Sequence, residues 1–128
     1  SCAGWIGDEG GSDDIVIWHN PRCSKSRQTM QLLTDAGIEP TVIEYLKNPP
    51  EESEIKRVLG FLGIAPKALM RTKEAAFKKN DLGASDVSDD ALVAAMAAHP
   101  ILIERPVVIK GDKAVIGRPP ENVNALLK

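Results

Sequence analysis

The stretch of sequence that decides the fold is His19-Asn20-Pro21-Arg22-Cys23-Ser24-Lys25-Ser26-Arg27. It follows a short apolar segment at residues 15–18 and leads into a helical pattern at residues 26–36. Cys23 is therefore predicted at a turn from a strand to a helix, where unpaired backbone N–H groups and the helix dipole favour an anion. A cysteine there ionises more easily than a free one, and the thiolate is the reactive form. We predict that Cys23 is a nucleophile that meets an oxyanion.

Three cationic residues of the same turn, Arg22, Lys25 and Arg27, add positive charge next to Cys23. We include Arg27 among the candidate substrate-binding residues, whereas Lys25 has the simpler interpretation of a solvated side chain. Cys23 has an alternative interpretation as a buried structural thiol. A polar, cationic turn is a poor setting for inert packing, so a reactive thiol is the preferred interpretation.

The length and charge of the chain limit the class of protein. A chain of 128 residues is predicted to form one domain with its own hydrophobic core. Its formal net charge of −2 at pH 7 gives no sign of a nucleic-acid partner. No apolar run approaches the ~20 residues that cross a bilayer, and no signal peptide is visible. We therefore expect no membrane partner either.

The cysteine content favours a reducing compartment. Two cysteines do not make a disulfide framework, so a cytoplasmic protein is expected. Cys2 has no partner at a metal-ligand spacing, and no metal site is predicted. Residues 1–14 are rich in glycine and acidic residues and lack periodicity, so we expect a flexible leader, native or introduced with an expression vector. The predicted domain is then residues 15–128.

Periodicity and turn residues divide this domain into strands and helices. Strands are predicted at residues 15–19, 41–45, 106–109 and 114–116, the first two parallel and the last two as a hairpin. Helices are predicted from residue 24 to Gly37, from after Asn48-Pro49-Pro50 to Gly63, within 68–79, from Ser88 to Pro100 and over 120–127. The order β-α-β, helical insert, β-β-α predicts an α/β, thioredoxin-like fold with a mixed four-stranded sheet.

The residues at these positions resemble those of a known family. The pattern His19-Asn20-Pro21-x-Cys23-x-x-Ser26-Arg27 resembles the active-site signature of the glutaredoxin-linked arsenate reductases, a branch of the thioredoxin fold. Further landmarks follow in family order: Glu44-Tyr45-Leu46, Asn48-Pro49-Pro50, Ala68-Leu69-Met70-Arg71, the run from His99 to Pro106, and Gly117-Arg118-Pro119. Ser24-Lys25 replaces the Gly-Thr of the established reductases, which is typical of a sub-branch with Cys-Ser-Lys-Ser at the active site.

The resemblance implies a catalytic group around the thiol. It makes Cys23 the nucleophile, with His19 and Ser26 as its supporting neighbours. Both neighbours have a structural alternative, because His19 could end the first strand and bond the backbone, and Ser26 could be an ordinary residue of the first helical turn.

The resemblance also implies an oxyanion-binding set of arginines: Arg71, Arg105 and Arg118. Arg71 and Arg118 could instead be surface charges, as most arginines are. Pro106 occupies the place of the cis-proline that lies beside the active site in thioredoxin folds, and an X–Pro bond is where a cis peptide costs little.

The activity implied by the resemblance is the reduction of arsenate to arsenite with one protein cysteine. Cys23 would form a thiol–arsenate adduct, glutathione would reduce the arsenic, and a glutaredoxin would remove the remaining Cys23–glutathione disulfide. Glutathione is then a co-substrate, glutaredoxin is a protein partner, and no bound cofactor is expected. We expect a monomer.

The same sequence limits the alternatives. A dithiol oxidoreductase needs a second thiol three residues after Cys23, where Ser26 stands; the Ser26 hydroxyl can donate a hydrogen bond to the thiolate but cannot form a disulfide. A phosphatase-like reductase needs an arginine where Thr29 stands. A non-enzymatic adaptor that regulates transcription stays open, although such relatives typically have the second cysteine. A glutathione-linked thiol enzyme with another substrate also stays open.

Overall fold

The computed structural model describes residues 14–127, and these fall into two compact units. The first unit consists of the described residues up to Ile43 and from Arg105 onwards, and the second is Glu44–Glu104. Of the predicted leader, only the exposed Asp14 is described; the rest, with Cys2, lies outside the described residues. The expectation that residues 15–128 form a single domain stays a prediction.

The first unit is built on a four-stranded mixed sheet in the order β2-β1-β3-β4. Its strands are β1 (Ile15–Trp18), β2 (Thr41–Ile43), β3 (Val107–Lys110) and β4 (Lys113–Ile116). β1 runs parallel to β2 and antiparallel to β3, and β3 and β4 form the predicted hairpin. The α/β fold class with a mixed four-stranded sheet is therefore confirmed.

The directions of the strands bring four chain segments to one edge of this sheet. Trp18, the last residue of β1, pairs with both Ile43, the last of β2, and Val107, the first of β3. Val107 in turn pairs with Ile116, the last residue of β4. The segments that follow β1, β2 and β4 therefore begin at the same edge of the sheet. The segment that precedes β3 ends at this edge.

The helices of the first unit are α1 (Ser24–Asp35) and a C-terminal 3-10 helix (Pro120–Leu126). α1 is terminated as predicted by Gly37, the residue after its C-cap Ala36, whose φ of 80° is unfavourable for other residues. Side chains from both helices and from β1 and β3 form a buried apolar cluster: Ile15, Ile17, Leu33, Val108, Val123 and Leu126. This core fixes α1, and hence its N-terminus, against the sheet.

Two predicted elements differ from the structure. The strand expected over residues 41–45 ends at Ile43, because the backbone N–H groups of Lys47 and Asn48 both donate to the Glu44 carbonyl and form a turn. The C-terminal helix was expected to be an α-helix, but it is a 3-10 helix. The Asn122 amide, which donates to the carbonyls of Ile116 and Arg118, competes with regular helical bonding there.

The second unit is helical. It contains α2 (Glu52–Leu62), α3 (Ala75–Lys79), α4 (Asp89–Ala98) and two 3-10 helices (Pro66–Leu69 and Pro100–Leu102). Ile55, Val58, Leu92, Val93 and Met96 from α2 and α4 are buried, as their helical spacing predicts. α2 follows Pro50 as predicted, with Glu52 and Glu54 in its first turn, where acidic residues favour a helix N-terminus. It ends at Gly63, whose φ is 67°.

Within residues 14–127, no helix combines the length and the apolar character that a membrane span requires.

Ser88 is the predicted N-cap of α4, and its contribution to stability can be tested. Its hydroxyl accepts a hydrogen bond from the Ala91 backbone N–H at 3.1 Å, so it is a side-chain N-cap. Ser88→Ala removes this bond and is expected to lower the free energy of unfolding by about 1 kcal/mol, measured by chemical denaturation. Ser53→Ala, at an exposed position inside α2, serves as the control and is expected to change stability by less than about 0.5 kcal/mol. Equal losses in the two variants would contradict the cap.

Candidate active site

Cys23 is the N-cap residue of α1, in the turn that follows β1. Its backbone N–H donates to the Asn20 carbonyl at 2.9 Å, and the Asn20 side-chain oxygen accepts from the Arg22 N–H at 3.0 Å. These two bonds close the turn. The thiol is free and buried, with 8% of the residue exposed. The predicted strand-to-helix position of Cys23 is confirmed.

Opposing effects act on the acidity of this thiol. Burial raises the pKa of Cys23, because a thiolate loses its hydration there. The backbone N–H of Ser26, the hydrogen bond and positive charge of the Arg105 side chain, and the backbone N–H of Lys25 together outweigh burial and hold the pKa below its ordinary value. Cys23 is therefore more easily ionised than a free cysteine.

His19 and Ser26 are brought together beside Cys23 in sequence and in the fold. The Ser26 hydroxyl lies 2.7 Å from His19 Nδ1 and accepts a hydrogen bond from the Asn20 backbone N–H at 3.0 Å. Both side chains are buried. The sequence suggested that the Ser26 hydroxyl would donate to the thiolate. In the structure it is the backbone N–H of Ser26 that bonds Cys23, and the hydroxyl bonds His19.

Arg105 reaches Cys23 because of the strand arrangement. It lies two residues before β3, and β3 starts at the sheet edge where β1 ends. The half-buried Arg105 side chain donates a hydrogen bond to Cys23 and adds its charge. The peptide bonds Arg105–Pro106 and Arg118–Pro119 are both cis. Sequence reasoning singled out only the first of them.

The structure places Arg27 and Arg118 on the surface of the same unit. Arg27 reaches back across the turn, where its Nη1 donates to the Pro21 carbonyl at 2.9 Å. Arg118 is exposed and lies two residues after β4, at the same sheet edge as the turn of Cys23. Arg118 therefore lies at the sheet edge where an oxyanion ligand of this site would have to lie. The hydrogen bond of Arg27 to the Pro21 carbonyl stabilises the turn.

Arg71 belongs to the second unit. Its guanidinium forms ion pairs with Glu74 and Glu104, the latter at 4.0 Å between Nε and Oε1. Its backbone N–H donates to the Leu102 carbonyl at 2.7 Å, beside the bridge between Met70 and Ile103. The positive charge of Arg71 is therefore balanced by two carboxylates of its own unit, and its role toward an oxyanion stays a prediction.

Across residues 14–127 no three His, Cys, Asp or Glu side chains cluster in a way that could hold a metal ion.

Two residues of this region were not proposed as site residues from the sequence. Thr29 is fully buried on α1, and its hydroxyl donates to the Lys25 carbonyl at 2.9 Å. Gly117 follows β4, and its N–H donates to the Pro106 carbonyl at 2.8 Å. In the sequence, Thr29 only argued against a phosphatase-like reductase, and Gly117 only belonged to the Gly117-Arg118-Pro119 pattern shared with the arsenate reductases. A glycine between a strand and a Pro-containing turn was the one available signal.

One protein-family model matches most of the chain. The model of the ArsC family matches residues 18–126. The chain belongs to the ArsC family. The match includes every residue of the candidate site, from His19 to Arg118.

Individual relatives agree with this ArsC assignment. The arsenate reductase of Neisseria meningitidis serogroup A is 45% identical over 115 residues, which are 89% of this chain and 98% of that protein. The protein YfgD of Escherichia coli K12 is 46% identical over 110 residues, covering 85% and 92% of the two chains. The structure of an arsenate reductase from Vibrio cholerae has a TM-score of 0.87 and 52% identity, covering 88% and 97%. This ArsC-family chain has the thioredoxin-like fold predicted from its sequence.

The first prediction for this ArsC-family site concerns Arg105. Arg105→Gln removes the charge and weakens the hydrogen bond to Cys23 while burial persists, so the pKa of Cys23 should rise. The rate of Cys23 alkylation by iodoacetamide, measured against pH, should then reach its midpoint at higher pH than in the wild type. Below both midpoints the rate falls about tenfold for each unit of rise.

The control for Arg105→Gln is Arg57→Gln, which removes a charge from the exposed face of α2 in the other unit. It should leave the midpoint unchanged. A midpoint for Arg105→Gln equal to that of the wild type would remove Arg105 from the activation of the thiol.

The second prediction concerns the buried bond between Ser26 and His19. Ser26→Ala deprives His19 Nδ1 and the Asn20 N–H of this partner, which should lower the free energy of unfolding by about 1–3 kcal/mol. Ser24→Ala is the matched control, because Ser24 is exposed in the same helical turn and should change stability by less than about 0.5 kcal/mol. Chemical denaturation measures both, and equal stabilities would contradict a structural contribution of the Ser26 hydroxyl.

Proposed function

We propose that this protein reduces arsenate to arsenite by a single-cysteine mechanism that uses glutathione and glutaredoxin. The observation that supports this most directly is the buried Cys23 thiol at the N-terminus of α1, with its pKa lowered by Arg105 and the first backbone N–H groups of the helix. The arsenate reductases named above, with which the chain shares nearly its whole length, suggest the substrate.

The chemistry of the substrate fits the groups around Cys23. Arsenate is a tetrahedral oxyanion with about two negative charges near neutral pH, by analogy with phosphate. It repels an approaching thiolate, so a reactive site must neutralise both partners. Arginine does this with paired donors and a charge that persists across the pH range. Arg105 is the guanidinium at Cys23, and Arg118 is the second proposed oxyanion ligand; Arg71 is the third that the family resemblance implies.

The proposed reaction balances with two molecules of glutathione. The Cys23 thiolate attacks arsenic, an S–As bond forms, and one arsenate oxygen leaves as water after protonation. A glutathione thiolate then attacks the Cys23 sulfur, the S–As bond breaks, and its electron pair stays on arsenic, which leaves as arsenite. The products at the protein are a Cys23–glutathione disulfide and a reduced arsenic. Glutaredoxin and the second glutathione remove that disulfide and regenerate Cys23 with release of oxidised glutathione.

Ser26 favours a mechanism with an external second thiol. A protein with an internal resolving cysteine at this position would form a disulfide with Cys23, but the Ser26 hydroxyl cannot. In this proposal both electrons therefore come from glutathione, and no resident cofactor is needed. We propose that the protein is a monomer in the reducing cytoplasm.

The experiment is a coupled assay that follows NADPH oxidation with arsenate, glutathione, glutaredoxin and glutathione reductase. We expect an arsenate-dependent rate that Cys23→Ser reduces to background, because the nucleophile is lost. Arg105→Gln should lower kcat/KM by about 10²-fold or more, in the range found when one oxyanion-stabilising donor is removed. Ser24→Ala, an exposed neighbour outside the proposed machinery, is the control and should retain the wild-type rate.

Two outcomes would overturn the proposal. One is the absence of any arsenate-dependent rate from folded protein whose Cys23 thiol is shown to be free by titration. The other is full turnover by Cys23→Ser. Turnover with another oxyanion or a glutathione disulfide, but none with arsenate, would favour the alternative of a thiol enzyme with a different substrate.

A further inference from the structure

Gly117 lies where three segments of the first unit meet. It follows β4 directly, and its backbone N–H bonds the carbonyl of Pro106, the residue just before β3. Its φ does not lie in the left-handed region, unlike those of Gly37, Gly63 and Gly111. The backbone conformation therefore gives no reason for a glycine at this position, and the reason must be space.

The space around Gly117 is too small for a side chain. A Cβ atom on Gly117 would lie 2.6 Å from Thr29 Oγ1 and 2.9 Å from Pro106 Cγ, both closer than Cβ atoms approach other atoms. It would also lie 3.2 Å from Thr29 Cγ2. Even an alanine at 117 would therefore clash with both neighbours, and a shift of only one of them would not relieve both contacts.

Neither neighbour can turn away easily. Thr29 is fully buried, and its hydroxyl is bonded to the Lys25 carbonyl one turn earlier on α1. A β-branched side chain in a helix has few rotamers, and this bond selects one of them. Pro106 is buried, and its ring closes onto the backbone. Displacement of Thr29 therefore moves α1, and displacement of Pro106 moves the backbone next to Arg105.

These two displacements would change the positions of Cys23 and Arg105. Thr29 and Cys23 lie on the same helix, with the Thr29–Lys25 bond connecting the first and second turns. Arg105 precedes Pro106 directly, and its side chain bonds the Cys23 thiol. A side chain at 117 thus separates the element that holds the thiol from the element that holds the guanidinium.

We propose that Gly117 is a positioning residue, and that its missing side chain sets the close approach of the Arg105 guanidinium to the Cys23 thiol. Thr29 and Pro106 are the two walls of the contact. The inference goes beyond the proposed function, because it concerns the ionisation of Cys23 in any reaction of this thiol. Its test contains no arsenate, so the two can fail separately.

The test is the pH dependence of Cys23 alkylation in Gly117→Ala. The midpoint should move to higher pH, and the rate below both midpoints should fall about tenfold for each unit of that move. Gly60→Ala is the matched control, because a Cβ at Gly60 meets nothing within 4 Å; its midpoint should equal that of the wild type. A packing role without influence on the site would lower the stability of Gly117→Ala and leave its midpoint in place. A wild-type midpoint in folded Gly117→Ala therefore overturns the proposal.

A second variant tests the two walls separately. If Gly117→Ala does not fold, this variant is compared with the wild type alone, and the remaining Pro106 contact should still raise its midpoint above the wild-type value. Thr29→Ala combined with Gly117→Ala removes the atoms at 2.6 and 3.2 Å but keeps the Pro106 contact at 2.9 Å. Its midpoint should lie between those of the wild type and Gly117→Ala, as expected for residues that share a contact. A midpoint equal to that of Gly117→Ala would exclude Thr29 as a wall, and one equal to that of the wild type would exclude Pro106.

Discussion

The candidate site depends on keeping a thiolate stable in a buried place. Burial protects Cys23 from bulk water but raises the free energy of its charged form, so without compensation the thiol would stay protonated. The compensation comes from two backbone N–H groups at the start of α1 and from Arg105. The helix provides the first two by geometry alone, since its first N–H groups have no partner within the helix. Only Arg105 has to be brought from a distant part of the sequence.

The sheet explains how Arg105 is brought there. β1 and β3 are neighbours and antiparallel, so the end of β1 and the start of β3 share an edge although they are almost ninety residues apart. The turn with Cys23 follows β1, and Arg105 precedes β3. β4 returns to the same edge and places Gly117 and Arg118 there. The order β2-β1-β3-β4 therefore gathers the turn of Cys23, Arg105, Gly117 and Arg118 without any of them being close in sequence, except for the last two.

Sequence patterns predicted the parts of this arrangement that depend on local chemistry. Gly37 and Gly63 marked helix ends, the spacing of Ile55, Val58 and Leu59 marked a buried face, and an apolar segment before Cys23 marked β1. The patterns missed features that depend on tertiary contacts. The Ser26 hydroxyl bonds His19 instead of Cys23, because the helix turns its backbone N–H toward the sulfur. The tight fit of Gly117 against Thr29 joins positions 88 residues apart, and a glycine before a proline-containing turn does not show which distant residue it would contact.

The charges in the first helical turn differ between α1, which begins at Cys23, and the helices α2 and α4. α2 has Glu52 and Glu54 in its first turn, and α4 has Asp89 and Asp90, as the helix dipole favours. α1 has no acidic residue in its first turn and instead has cationic residues there, which costs a helix roughly 0.3–1 kcal/mol per charge when exposed. An acidic residue at that end would stabilise α1 but would also repel a thiolate and an oxyanion. α1, which begins at the reactive thiol, thus starts less stably than an acidic first turn would allow, and its positive end is left for Cys23.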